Sequence, residues 1–425
     1  MVKLIHTADW HLGCRLETIE RRHEHQAFLC HLLELLEKMH PDALLICGDV
    51  FDSANPPLSA QKDLFDFLLK AREICPNIIA IAGNHDSAAR FDTLATLLDG
   101  LGIHFCGILP EHDDRALIPV LDSRGQTIAE VAAVPFLRGA DLPPPSPGET
   151  PEESMIRMVD ATTAIMQEFN ALHSNGENPD KPLIYMGHLF AAGGRTTEDS
   201  ERPVQTIAGN VCSLPAEIYP ESAAYVALGH LHRRQQITHP AGVSVWYSGS
   251  VIPMSFTEAD YQHQVLEVKI PARPDQSEET KEVEIVSHEL PRGMKMVDVI
   301  GKEMEVTDKV QKLAQNHPDP SDMVLVRVMV ELSGPAPALR QNLADLAEGT
   351  GVKIMAVRRT DFENETMHRL LDDNQSLHDL KPEEVFRLMH RMEYHADPED
   401  ALMTAFSELL HQVTVESGSD NGEEV

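Results

Sequence analysis

Five short apolar runs in this chain are each followed by residues of metal-ligand type. Residues 2–6 lead to Asp9-Trp10-His11, 44–47 to Gly48-Asp49, and 78–82 to Gly83-Asn84-His85-Asp86. Residues 183–186 lead to Gly187-His188, and 226–228 to Gly229-His230-Leu231-His232. The direct donors are two carboxylates, one amide oxygen and four imidazoles: Asp9, His11, Asp49, Asn84, His188, His230 and His232, with His85 left over. Two ions about 3.5–4 Å apart need about four protein ligands each, one of them shared. Asp49, directly after a strand-like run and a glycine, is the candidate shared ligand. Mixed nitrogen and oxygen donors suit manganese, iron or zinc better than magnesium or calcium. Such a pair of ions clamps a phosphate, activates water and stabilises the leaving oxygen, so phosphoester hydrolysis needs no side-chain nucleophile.

These residues must be brought together by the elements that precede them. In α/β sheets, sites form outside the carboxyl ends of the strands, and five strand ends in one sheet region would assemble the set. The glycines permit tight turns and leave room for a substrate beside the backbone. Residues 1–140 alternate strand-like runs with helical spacing at 22–39, 58–72 and 91–101, a βαβαβ rhythm that predicts an α/β domain. Further strands are expected at 103–108, 128–134, 182–186, 225–228, 244–247 and 265–270, with a helix at 152–172. A polar stretch at 271–280 reads as a linker or hairpin tip. From about 283 a small separate α/β domain is expected, with strands at 294–300, 324–332 and 352–358 and helices near 308–315 and 337–348. Amphipathic helices are expected at 381–391 and 398–410, then a disordered acidic tail at 415–425.

The chain has 425 residues and 42% hydrophobic content, enough for two or three domains. No run approaches the 18 apolar residues of a membrane span, and the opening strand lacks a signal peptide's apolar region. The six cysteines form no CxxC pair, which predicts reduced thiols in a cytoplasmic protein. A net charge of −33 argues against a generally basic nucleic-acid binder. Charge acts locally, however, and divalent ions or a partner would add positive charge. Of the 22 histidines, His6, His23, His25, His31, His40 and His104 lie in the first strand, on helices or far from the glycine turns, and read as structural or solvated. Cys14, Cys47, Met39, Met294 and Met296 read as packing.

The five motifs, in this order, resemble the calcineurin-like metallophosphoesterase superfamily. Flanking words narrow the resemblance: residues 5–13 (IHTADWHLG), Gly48-Asp49-Val50-Phe51-Asp52, Gly83-Asn84-His85-Asp86-Ser87, Tyr247-Ser248-Gly249-Ser250 and Pro253-Met254-Ser255-Phe256. They resemble the nuclease-subunit family of bacterial SbcCD complexes, counterparts of the double-strand-break repair nuclease of eukaryotes and archaea. The resemblance implies a β-sandwich flanked by helices at 1–270, a DNA-selecting capping domain at 283–365, and helices at 380–412 that dock onto a coiled-coil ATPase subunit. It implies that Asp9, His11, Asp49 and His232 hold one ion and Asp49, Asn84, His188 and His230 the other. It further implies that His85 assists the leaving group and that Asp86 orients His85. Two divalent ions, manganese or else magnesium, are implied as cofactors. DNA ends and hairpins are implied as substrates, with 3′–5′ double-strand exonuclease and single-strand endonuclease activity in repair, recombination and replication. A homodimer within a heterotetramer, without a membrane, is the implied assembly.

No GxxxxGK[ST] motif is present, so any ATP chemistry belongs to the partner. The candidate DNA contacts are the basic residues near the motif loops: Arg15, Arg21, Arg22, Arg90, Arg138, Arg195, Arg233 and Arg234. Two other readings stand beside this one: a phosphoesterase acting on nucleotides or phosphoproteins, and a non-catalytic scaffold. The complete donor set argues against the scaffold.

Overall fold

The computed structural model describes residues 1–109, 117–196, 206–207, 210–211, 213–271, 282–331 and 338–359, with 386, 387, 390, 398, 402, 403 and 406. The chain opens with β1 (Val2–Thr7), a small hairpin of β2 (Arg15–Leu16) and β3 (Ile19–Glu20), α1 (Arg22–Met39) and β4 (Ala43–Cys47). Next come α2 (Leu58–Ile74), β5 (Asn77–Ile81), α3 (Ala88–Leu98), β6 (Ile103–Cys106), β7 (Leu117–Leu121) and β8 (Thr127–Ala133). Then follow α4 (Pro151–Asn175), β9 (Leu183–His188), the pair β10 (Thr206–Ile207) and β11 (Asn210–Val211), β12 (Tyr225–Gly229), β13 (Gln235–Ile237) and β14 (Val245–Tyr247). After β15 (Gln264–Ile270) and β16 (Glu284–Glu289), the remaining elements are β17 (Lys295–Lys302), α5 (Glu303–Asn316), β18 (Val324–Glu331), α6 (Leu339–Ala347) and β19 (Val352–Arg359).

The chain divides into two compact units, Met1–Val297 with Met323–Leu325, and Asp298–Asp322 with Val326–Val425. The first is built on two six-stranded sheets, ordered β16-β15-β1-β4-β5-β6 and β13-β14-β12-β9-β8-β7. In one, β1, β4, β5 and β6 run parallel. In the other, β8, β9, β12 and β14 do. Strand alternation sorts the side chains between layers. Ala43, Leu45 and Cys47 of β4 face a core shared with Val131, Ile184, Met186 and Ala227 of the other sheet. Leu44 and Ile46 face outward onto Phe28, Leu32 and Leu36 of α1 and Leu64, Phe67 and Leu68 of α2. The second sheet's outer face packs on Met158, Met166 and Phe169 of α4. Strands buried on both faces read as continuous apolar runs, which is why they stand out in the sequence.

Helix α1 matches its expected span and ends in a left-handed residue, His40 (φ 45°). α4 begins a residue early because Thr150 and Glu153 form a capping box around Pro151. Besides the two-residue strands β2, β3, β10 and β11, three strands of the six-stranded sheets escaped the sequence reading, all at sheet edges. β7 carries Pro119, β13 is only three residues long, and β16 is half polar. β16 also moves a boundary. It pairs with β15 from Gln264↔Glu289 to Lys269↔Glu284, so residues 284–289 complete the first unit rather than open a domain at 283.

The second unit has a three-stranded sheet, β17-β18-β19. Its helices bury Val306, Val310 and Ala314, and Leu339, Leu343 and Ala347, each at four-residue spacing. Arg327 of β18, buried, clamps both Asp298 oxygens at 2.8 Å. Most of the expected helices at 381–410, and the tail at 415–425, lie outside the described residues. Phe386 and Phe406 are described, and they stack with centroids 4.1 Å apart. These two positions, expected on a partner-facing stripe, therefore pack against each other. Among the described residues no helix is long and apolar enough to cross a membrane.

Candidate metal centre

The five strand ends come from two sheets rather than one: β1, β4 and β5 on one side, β9 and β12 on the other. The sheets meet at these ends with almost no space between backbones. A Cβ on Gly229 would lie 1.9 Å from the Cys47 carbonyl oxygen. A Cβ on Gly48, whose φ is +86°, would lie 2.2 Å from His188 Nδ1. The loop after β1 lies along the loop after β4: Asp9 N–H donates to Gly48 O at 3.1 Å and His11 N–H to Asp49 O at 2.9 Å. Asp9, His11, Asp49 and His230 all adopt positive φ, at 53°, 45°, 46° and 104°. Left-handed backbone in non-glycine residues costs about 1–3 kcal/mol each and gathers at functional sites. Four such residues, all of them predicted donors, mark these turns as held in place by their surroundings.

The side chains converge. Ligand atoms of Asp9, His11 and His232 lie within 4.8 Å of one another, as do those of Asp9, Asp49 and His188. Asp49 Oδ2 stands 3.7 Å from His11 Nε2 and 3.3 Å from His188 Nε2, between the two groups. Asn84 Oδ1 lies 3.0 Å from His188 Nε2 and 3.1 Å from His230 Nδ1. All seven predicted donors are thus brought together.

The imidazole orientations follow from their partners. A carbonyl can only accept, so His188 donates Nδ1–H to Cys47 O (2.9 Å) and turns Nε2 inward. Both ring nitrogens of His11, 2% exposed, lack a hydrogen-bond partner. A buried orphan nitrogen beside two carboxylates is the arrangement a cation completes.

The electrostatics are those of a buried cluster short of positive charge. Burial raises the Asp9 carboxyl above its ordinary value, against the pull of His188 and His232. Burial would raise Asp49 too, but His188 and His11 outweigh it and hold it well below the usual carboxylate range. Burial pulls the His188 imidazole down, yet Asp49 and Asp9 hold it up to about 9. Burial, with His188 beside it, pushes His230 down to about 3. A bound cation would meet this demand for charge directly.

His85 is exposed at the rim, with its ring 4.9 Å from that of His11 and its N–H donating to Asp49 Oδ1 at 2.9 Å. Its Nδ1–H donates to the Asp52 carbonyl at 2.9 Å, which leaves Nε2 available. The expectation that Asp86 orients His85 is therefore corrected. Asp86 accepts from Val50 N–H (3.1 Å), Gly83 N–H (2.9 Å) and Phe51 N–H (2.9 Å), and so ties the loop after β4 to the loop after β5. Burial and Asp49 raise its carboxyl to about 6 despite these bonds.

Sequence reasoning missed two residues at the centre. Asp52 Oδ1 lies 3.3 Å from His11 Nδ1, and Glu258 Oε1 lies 2.9 Å from His232 Nδ1. Asp52 closes the Gly48–Asp52 word, but nothing in that word gives it a role of its own. Glu258 is remote from the five ligand motifs and gave no signal.

The expected basic contacts also divide. Arg21 is 1% exposed and paired with Glu24, so it cannot meet a substrate. Arg138 donates to the carbonyls of Gly83 (3.1 Å) and Asp86 (2.9 Å) and serves the loop that carries His85. Arg15 pairs with Glu20, and Arg22 with Asp63. Arg195, Arg233 and Arg234 are exposed, the last two lying over the rings of Tyr261 and Trp246. His6 and His25 are buried, as a structural reading requires. Among the described cysteines, 14, 30, 47, 75 and 106 are free.

Comparison with known proteins agrees with this geometry. Residues 2–234 match the calcineurin-like phosphoesterase family, and residues 291–394 match a family described as the type 5 capsule protein repressor C-terminal domain. The SbcD subunit of the SbcCD nuclease of Rhodobacter capsulatus is 39% identical over 271 residues, which is 62% of this chain and 65% of its own length. That of Bacillus subtilis is 36% identical over 66% of this chain and 69% of its own length. That of Escherichia coli K12 is 28% identical over 98% of this chain and 99% of its own. With the two sheets, the converging donors and these relatives together, the chain belongs to the calcineurin-like phosphoesterase family and, within it, to the family of SbcD nuclease subunits.

Proposed function

We propose that the chain is the manganese-dependent nuclease subunit of a complex with a coiled-coil ATPase, and that it hydrolyses phosphodiesters at DNA ends and opens hairpins. The observation that carries this reading is Asp49 Oδ2 standing between His11 Nε2 at 3.7 Å and His188 Nε2 at 3.3 Å. Asp9, His11, Asp49 and His232 would hold one divalent ion, and Asp49, Asn84, His188 and His230 the other. Bound divalent ions supply Lewis-acid polarisation of a phosphoryl oxygen and an activated water. The chain's own residues do the rest. Cys47 O fixes the His188 tautomer. Asp52 O fixes that of His85, so Nε2 is the atom presented to the leaving oxygen, as acid or electrostatic stabiliser. Arg195, Arg233 and Arg234 form a basic rim for backbone phosphates on an otherwise acidic molecule.

The match to the Escherichia coli SbcD subunit, which runs over 98% of this chain and 99% of that subunit, supports partnership with an SbcC-type ATPase. Residues 298–359 would help select DNA, and the helices beyond 380 would dock the partner. Homodimers within a heterotetramer, working in the cytoplasm, complete the reading. The test compares a small chromogenic phosphodiester, blunt duplex and hairpin DNA, with manganese, with and without the ATPase and ATP. Cleavage of DNA in the complex is expected. Turnover of small nucleotides with no DNA cleavage in any condition would overturn the reading in favour of a nucleotide phosphoesterase.

A further inference from the structure

The imidazoles at the two halves of the centre are held in different ways. At one half, His188 is held by a neutral backbone carbonyl, Cys47 O. At the other, His232 has a carboxylate bonded at Nδ1, Glu258 Oε1 at 2.9 Å, while Asp52 Oδ1 stands 3.3 Å from His11 Nδ1 without forming a hydrogen bond. Glu258 is fully buried, although it lies in a short turn after β14 and 26 residues from the histidine it meets. A buried carboxylate costs several kcal/mol unless hydrogen bonds compensate, so its place needs a reason. Its second oxygen supplies one: Oε2 accepts from Met254 N–H at 2.8 Å, with Ser250 Oγ at 3.5 Å. Ser250 N–H in turn donates to His232 O at 3.0 Å, and Val251 N–H to Asp9 O at 3.4 Å. One carboxylate thus ties the 250–254 turn to the His232 ring, while that turn grips the backbone of two predicted ligands.

We propose that Glu258 is a positioning residue for His232: it holds the proton on Nδ1 and so presents Nε2 to the ion shared with Asp9 and His11. Imidazoles that bind metals usually carry such a partner, and its loss costs about 10–100-fold in metal affinity. The inference rests on the metal assignment above, and the wild-type control tests that assignment by itself.

Glu258→Gln is the informative substitution because its shape is unchanged. Its amide has one acceptor oxygen where the carboxylate serves two donors, Met254 N–H and His232 Nδ1–H. Manganese titration of the full-length protein by calorimetry should show two ions in the wild type. In Glu258→Gln one ion should be about 10–100-fold weaker, and the other should stay within about threefold. Combined with Asn84→Ala, which removes a donor from the opposite half, the variant should hold neither ion at concentrations that saturate the wild type. Two ions bound with wild-type affinity in Glu258→Gln, or an equal loss of both, would overturn the proposal. Fewer than two ions in the wild type would instead overturn the metal assignment.

A second measurement needs no variant at Glu258. In metal-free wild-type protein labelled with ¹⁵N-histidine, the His232 signal is identified by its absence in His232→Gln. At a pH where the ring is neutral, its proton is expected on Nδ1. A proton on Nε2 would sink the proposal whatever the fate of the Gln variant.

Discussion

Asp49 Oδ2 stands between His11 and His188, and on the proposed assignment it would couple the two halves of the centre, which makes its removal different from that of any other donor. Asp49→Ala should weaken both ions together, read by calorimetric manganese titration; loss of one ion alone would place the bridge elsewhere. Asp86 makes an opposite case. It carries no donor role in the geometry but accepts three backbone N–H groups from two loops. Asp86→Ala should therefore lower the stability of the metal-free protein by about 2–4 kcal/mol, seen in urea unfolding with chelator present. A residue that only oriented His85 would leave that stability unchanged. The donors were legible because each sits directly after an apolar run, where residue type and position both inform. Asp52 and Glu258 were not, because their role depends on which ring nitrogen they meet, and spacing carries no such information. Arg21 misled for a related reason: a charge near a motif looks like a contact until burial and Glu24 are seen.

At the scale of elements, the centre depends on two sheets meeting at their carboxyl ends, and His6 fastens them there. From β1, its Nε2–H donates to Leu228 O of β12 at 3.1 Å, and its Nδ1 accepts from Tyr225 O–H at 2.9 Å. Burial holds its pKa down to about 3 against an ordinary 6.5. The unfolded chain thus takes up a proton that the folded chain refuses. His6 contributes its full stability above pH 6.5, and that contribution is lost as pH falls from 6.5 toward 3. Glutamine can mimic both bonds without titrating. Between about pH 6.5 and 5, with chelator present, His6→Gln should lose stability less steeply than wild type, by an amount that rises to about 1.4 kcal/mol per pH unit at the acid end. Equal slopes would mean that His6 is not held neutral. The central strands were readable because burial on both faces makes them continuous apolar runs. The edge strands β7, β13 and β16 were not, since one open edge admits proline and polar residues. That the donors divide between two sheets was also invisible: the residues after a strand can be read from the chain, but the sheet it joins cannot.

At the scale of the molecule, a chain of net charge −33 must meet a polyanion through a local surface. Of the eight candidates near the motif loops, Arg195, Arg233 and Arg234 are the exposed ones left once the paired and buried ones are set aside; Arg90 is half-buried. Each phosphate contact adds about 0.9 to the slope of log affinity against log salt for duplex DNA. Arg233→Ala with Arg234→Ala should reduce that slope by about 2, measured by fluorescence anisotropy of duplex DNA across salt concentrations, while manganese binding stays intact. An unchanged slope would move the DNA path to another face.

The most direct measurement joins metal occupancy and catalysis in one preparation. His85 stands beside the donors without being needed as one, with Nδ1 held by Asp52 O and Nε2 available. His85→Ala, assembled with its ATPase partner, is assayed for bound manganese and for cleavage of blunt and hairpin DNA. The expected result is two ions per chain with cleavage reduced by about 10²–10⁴-fold. Wild-type cleavage, or loss of the ions along with activity, would contradict it.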